Sequence, residues 1–123
     1  MYLRKAGQFL EEAQEAVAAE RHDACLLNAI HAAISAADAV TVVLAGRRSA
    51  DPDHQRAADL LEETGASHLQ AKERVRQLRA LLSRKNAVEY ESRRATAREA
   101  RDSVERATRL YIWAAETVDR ARV

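Results

Sequence analysis

The chain is short of the residues that break helices or staple a fold. Three glycines and one proline in 123 residues leave few places for a tight turn, so long helices joined by short connectors are expected. A single cysteine, Cys25, excludes an internal disulfide and any cysteine-based zinc motif. Set in an Ala-rich apolar stretch, it reads as a small buried hydrophobe. No charge of one sign dominates. With a formal net charge of +1, any attraction for phosphate must come from a local patch. No apolar run approaches the ~18–20 residues that span a bilayer. The first stretch, MYLRKAGQFLEEAQEA, is amphipathic and rich in acid, without the apolar centre or cleavage signature of a secretion signal. A cytoplasmic, reduced protein with no membrane contact is the expectation.

What is present is a helix-forming alphabet. Hydrophobic residues at 47% and charged ones at 32% give a globular balance, sufficient for one domain, residues 1–123, around one modest core. Ala, Arg, Glu and Leu dominate, and strand signals are missing. In helix one, about 2–18, Leu3, Ala6, Leu10, Ala13 and Val17 recur every three or four residues. After the connector Glu20-Arg21-His22-Asp23, helix two runs from about 23 to 45 and stops at Gly46. Asp51 and Pro52 suit the cap and first position of a short third helix, about 52–63, that stops at Gly65. Ser67 to Gln70 has capping-box spacing and opens helix four, with Val75, Leu78 and Leu82 as its stripe. Thr96 to Glu99 repeats that spacing and opens the last helix, whose stripe is Ala100, Val104, Ala107, Tyr111, Ala114 and Val118. The fold class is all-α: an up-and-down bundle of four long helices plus one short helix.

Polar residues intrude where the core should be. On helix two, Asn28, His31, Ser35 and Asp38 fall within one arc of roughly 80° at the helical period. They form a solvated stripe, a seam lining a cleft or subunit interface, or a buried network. His54 sits on the buried side of helix three, as a cap or core-edge residue or as an imidazole that meets a phosphate. On helix four, with Leu82 as zero, Lys85 falls at about 300°, Glu89 at about 340°, Asn86 at about 40° and Tyr90 at about 80°. If the helix continues, these groups lie on or beside the core stripe, and Lys85 must pair with Glu89 or Asp38 or reach water. If it frays after Leu82, they are simply wet. Arg74, Arg76, Arg79, Arg84, Lys85, Arg93 and Arg94 make the surroundings locally basic. A metal-binding bundle is not indicated, because Glu-x-x-His spacing is lacking.

Four stretches in order, NAIHAAISAADAV, GRRSADPDH, LLSRKNAVEYE and RATRLYIWAAE, resemble the HEPN superfamily, and more closely its small bacterial single-domain members. The resemblance covers nearly the whole chain. It implies the same helical bundle, a homodimer with motif helices facing each other, and an RNA- or nucleotide-binding cleft. In catalytic members, metal-independent ribonucleases that are often toxins, an Arg is followed by a polar residue and then a His. Others bind nucleotides or serve as non-catalytic partners, so the resemblance also admits an antitoxin-like protein partner or a dimerisation module. The motif maps onto Lys85 at the Arg position, Asn86 at the polar one and Tyr90 at the His one; a shifted match uses Arg84. Lys can hold a phosphate. A phenol ordinarily titrates near pH 10, so Tyr is suited to hydrogen bonding or base stacking. His31 and His54 are then the imidazoles available as a base. The candidate catalytic set is Lys85, Asn86, Tyr90, His31 and Asp38; the candidate nucleic-acid contacts are Arg84, Arg93, Arg94 and His54. No metal or other cofactor is implied.

Overall fold

The structure is a computed structural model that describes residues 1–65, 68, 70–90 and 94–122, the side chains of Glu89 and Tyr90 excepted. Within these residues the chain forms five helices and no strand: α1 (Tyr2–Ala18), α2 (His22–Ala45), α3 (Gln55–Gly65), α4 (Ala71–Tyr90) and α5 (Ala97–Ala121).

Side-chain spacing explains which face each helix buries. Ala6, Leu10, Ala13 and Ala16 line the inner face of α1, as the three-and-four periodicity requires. α2 is buried on most sides and packs against all four other helices. Its Ala29, Ala32, Ala33, Ala36 and Ala37 are small and almost inaccessible, so neighbouring backbones come close. By length and composition α2 is apolar enough to cross a membrane, yet most of that span lies inside the bundle. It is a central core helix, and the polar side chains Asn28, His31, Ser35 and Asp38 keep its apolar surface discontinuous. Leu26, Ile30, Leu61, Leu78, Leu81 and Leu110 are the large side chains closed off at the centre, each contributing about 1.5–3 kcal/mol by leaving water.

Contacts between helix ends fix the directions. The Asp23 carboxylate accepts the Ala95 backbone N–H at 2.7 Å, and the Cys25 thiol donates to the Ala100 carbonyl at 3.6 Å. α2 and α5 therefore start side by side and run parallel. α1 opposes α2, since Tyr2 at its beginning meets Arg48 just beyond the end of α2. α4 opposes α5 across an Arg84–Asp102 ion pair of 2.7 Å. The four long helices thus alternate in direction along the chain. α3 lies antiparallel to α4, with Gln55 beside Leu82 and Gly65 beside Ala71.

The helix ends show how the sequence reads out locally. Thr96 and Glu99 form a full capping box: the Thr96 hydroxyl accepts the Glu99 N–H at 3.0 Å, and the Glu99 carboxylate accepts the Thr96 N–H at 3.1 Å. Gly46, at φ 72°, ends α2 in the left-handed region where a residue without Cβ carries no penalty. α3 begins three residues later than the expected Pro52. Asp51 accepts the Asp53 N–H at 2.8 Å, and Asp53 accepts the Gln55 N–H at 3.0 Å. These two consecutive side-chain turns hold residues 51–54 outside the helix. Ser67, with the expected capping box at the start of α4, lies outside the described residues.

Candidate functional site

α4 does not fray after Leu82. It continues to Tyr90, so Lys85 and Asn86 are carried one turn beyond the buried Leu82 on its own side of the helix. There they meet the segment that leads into α3. Lys85, Asn86 and Leu82 share one cleft of about 180 Å³ with Pro52, Asp53, His54 and Gln55. Leu82, nearly inaccessible, forms its apolar floor. Lys85 and His54 are half-buried, and Asn86 is exposed. The Asp53 carboxylate is turned to the Gln55 N–H. Among the described residues the cleft therefore brings together the cation Lys85, the imidazole of His54 and the amide residues Asn86 and Gln55, beside the Asp53 carboxylate.

Of the remaining candidates, Arg84, His31 and Asp38 lie away from this cleft. Tyr90 is the last residue of α4, and its side chain, like Arg93, lies outside the described residues. Arg94 is exposed. Arg84 points away from the cleft, to α5, where it donates to the Ser103 hydroxyl at 2.9 Å and pairs with Asp102. Asp102 also accepts from Arg106 at 2.8 Å. Burial pushes the Asp102 carboxyl up, but hydrogen bonds from Arg106 and Arg84 outweigh it and hold the group below the usual carboxylate range. Arg79 is likewise turned to α3, where it pairs with Asp59 at 2.7 Å and Glu62 at 3.2 Å. The basic run of residues 72–94 thus partly holds helices together, and among the described residues Lys85 is the cation that lines the cleft.

His31 and Asp38 line a second cleft, of about 470 Å³, between α1 and α2. It shares no lining residue with the first. Ser35 stands between them on the same face, and Lys5, Phe9, Tyr2 and Arg48 complete the walls. Phe9 stacks on His31 with ring centroids 5.3 Å apart, and the Arg48 guanidinium lies 5.4 Å from the centre of the Tyr2 ring. Asp38 is only 8% exposed. Burial pushes its carboxyl up to about 6, against the opposing pull of Arg48 and Lys5. Those two cations, from α1 and from the loop after α2, stand where Lys85 was an expected partner. Asn28 belongs to an adjoining concavity with Lys5, Gln8, Phe9, Glu11 and Glu12.

Sequence reasoning passed over Tyr2, Lys5, Phe9 and Arg48. The first three recur at helical spacing beside the apolar stripe of α1, a signal present in the sequence but masked by that stripe. Arg48 carried none, because its place depends on how the chain turns at Gly46. Cys25 has no role in either cleft; burial pushes its thiol up and leaves it unreactive. Among the described residues no three His, Cys, Asp or Glu side chains gather as a metal site.

These features define a class: an all-helical domain with a central apolar helix and polar clefts at the helix junctions. The family model for the HEPN domain matches residues 1–118, nearly the whole chain, and the chain belongs to that family. No curated protein and no solved structure matches it.

Proposed function

We propose that this HEPN domain binds RNA, seating one phosphodiester in the α3–α4 cleft, and that it cleaves the chain there without a metal. The observation that carries this reading is the convergence of His54 with Lys85 and Asn86 on one cleft. The Lys85 ammonium supplies a point charge for the phosphate and the Asn86 amide a hydrogen-bond donor. Imidazole is the side chain suited to moving a proton near neutral pH. In the proposed step the ribose 2′-hydroxyl gives its proton to His54 and attacks the adjacent phosphorus. The 5′-oxygen leaves with a proton returned by the imidazole, giving a 2′,3′-cyclic phosphate and a 5′-hydroxyl.

The test is incubation of the full chain with a defined RNA in excess chelator. Lys85→Ala should weaken binding of every sequence and lower the salt dependence by about one counterion. His54→Ala should retain binding and slow cleavage by about 100-fold or more. Full binding by Lys85→Ala removes the cleft from the account; full cleavage by His54→Ala removes the imidazole.

A second reading is a non-catalytic module that dimerises or binds a protein partner. It is favoured by Val42, Val43 and Ile112, which are 37%, 38% and 51% exposed. On this reading Val43→Asp lowers the mass seen in light scattering, and Lys85→Ala has no effect on any bound RNA.

A further inference from the structure

The α1–α2 cleft carries chemistry that phosphodiester binding does not use. At about 470 Å³ it falls within the ~300–1,000 Å³ of small-molecule sites, whereas the α3–α4 cleft, at about 180 Å³, does not. Three features converge there. Phe9 and His31 present stacked rings, a surface for a flat heterocycle. Asp38 presents a mostly buried carboxylate, with the Ser35 hydroxyl one turn away on the same helix face. Lys5 and Arg48 line the same space from α1 and from the loop after α2, so two cations share the cleft with the carboxylate.

We propose that this cleft binds a guanine base that carries a phosphate. Guanine is the base whose pairing edge offers two neighbouring donors, N1–H and the N2 amino group. A carboxylate accepts both, one on each oxygen. Adenine, cytosine and uracil have no two neighbouring donors on that edge, so each sets an acceptor against the Asp38 charge. Stacking on the Phe9–His31 pair holds the base in plane, and Arg48 and Lys5 take the phosphate. Occupying the site draws the Arg48 guanidinium from the Tyr2 ring toward the phosphate. The proposal is independent of the RNA-cleavage reading, since no residue is common to the two clefts.

The phosphorylated guanine has two sources, a free mononucleotide or an unpaired guanosine in RNA. Calorimetric titration of the full chain with GMP, AMP, CMP and UMP tests the base, and a single-stranded hexamer with one guanosine tests the source. GMP should bind about tenfold or more tighter than AMP, as a bidentate pair supplies. Asp38→Asn, nearly isosteric but with one oxygen replaced by a donor, should erase that preference while the helical circular dichroism is unchanged. His31→Ala, at an exposed position, should weaken GMP and AMP alike. Arg48→Ala should weaken GMP and leave guanosine unchanged. Measured in the Lys85→Ala background, which removes the α3–α4 contribution, hexamer binding that is tighter than GMP binding and is lost in Asp38→Asn assigns the site to RNA, and the reverse order assigns it to the free nucleotide; either supports the proposal. Equal binding of all four nucleotides, absence of binding at millimolar concentration, or a guanine preference that survives Asp38→Asn overturns it.

Discussion

The two clefts of this bundle are built from opposite materials. Between α3 and α4 a leucine floor carries a lysine, an amide and an imidazole, and the space is small. Between α1 and α2 a buried carboxylate is faced by rings and two cations, and the space is more than twice as large. The first is fused to the core, since Leu82 belongs to both. The second is a groove between neighbouring helices, whose polar residues occupy positions that close packing would have given to apolar ones. The difference teaches that polar residues on a core stripe have two fates here. At the end of a helix they gather around the last buried side chain. In its middle they open a seam, and burial then changes their chemistry.

The sharpest way to break this comparison is to remove the leucine that the small cleft shares with the core. Leu82→Ala deletes a side chain that is 3% exposed, and should destabilise the protein by about 2–5 kcal/mol, the range for a truncated core leucine. Urea unfolding measures this. The same change deepens the floor under Lys85, so RNA affinity should fall more than nucleotide binding at the α1–α2 cleft. A loss well below 2 kcal/mol would mean that the floor is not part of the core.

Next in size is the buried carboxylate. The Asp38 carboxyl is pushed from an ordinary 3.8 to about 6, so the folded state holds its proton more tightly than the unfolded chain does. Asp38 therefore costs nothing below pH 3.8, becomes destabilising as pH rises toward 6, and levels off above it. The plateau amounts to about 3 kcal/mol by linkage. Asp38→Asn should match the parent in acid and be more stable at pH 8, with the gap opening between pH 4 and 6.5, roughly, in denaturation followed against pH. A gap that is constant with pH would show that the carboxylate is fully solvated.

How far these clefts could be read in advance depends on which contacts are local. The helices of α1, α2 and α5 follow from apolar periodicity and from caps such as Thr96–Glu99, all within a few residues. That α4 carries Lys85 and Asn86 on the core side also follows from the helical period. That His54 joins them does not, because it depends on the Asp51 and Asp53 turns delaying α3 and on α3 lying against α4. Arg84 was the reverse case. Its place in a basic run suggested a phosphate contact, but Asp102 and Ser103, 18 and 19 residues away in sequence, draw it to α5. His31, Ser35 and Asp38 shared a legible arc, while the cations and rings facing them came from other elements and could not be paired with it from the sequence.

The smallest expected effect concerns the point where the two clefts are joined. The chain leaves α2 at Gly46 and then delivers Arg48 to one cleft and Pro52, Asp53 and His54 to the other. Gly46 has φ 72°, and a Cβ added there would meet nothing within 4 Å. Gly46→Ala therefore introduces no clash with neighbours and tests backbone strain alone. It should lower stability by about 1 kcal/mol, the penalty of a left-handed backbone for a residue with Cβ. If the loop is a rigid tie, the strain is shared, and RNA binding and nucleotide binding should weaken together by a small factor. If the loop yields locally, stability falls but both affinities hold, and the clefts are then coupled only through the core beneath them. Arg48→Ala separates these cases, because it removes the grip on the larger cleft and leaves the conformation at Gly46 untouched. A response at the His54 cleft to Arg48→Ala would require a loop that transmits strain from Tyr2 to α3, and the effect of Gly46→Ala would then have to appear at both ends.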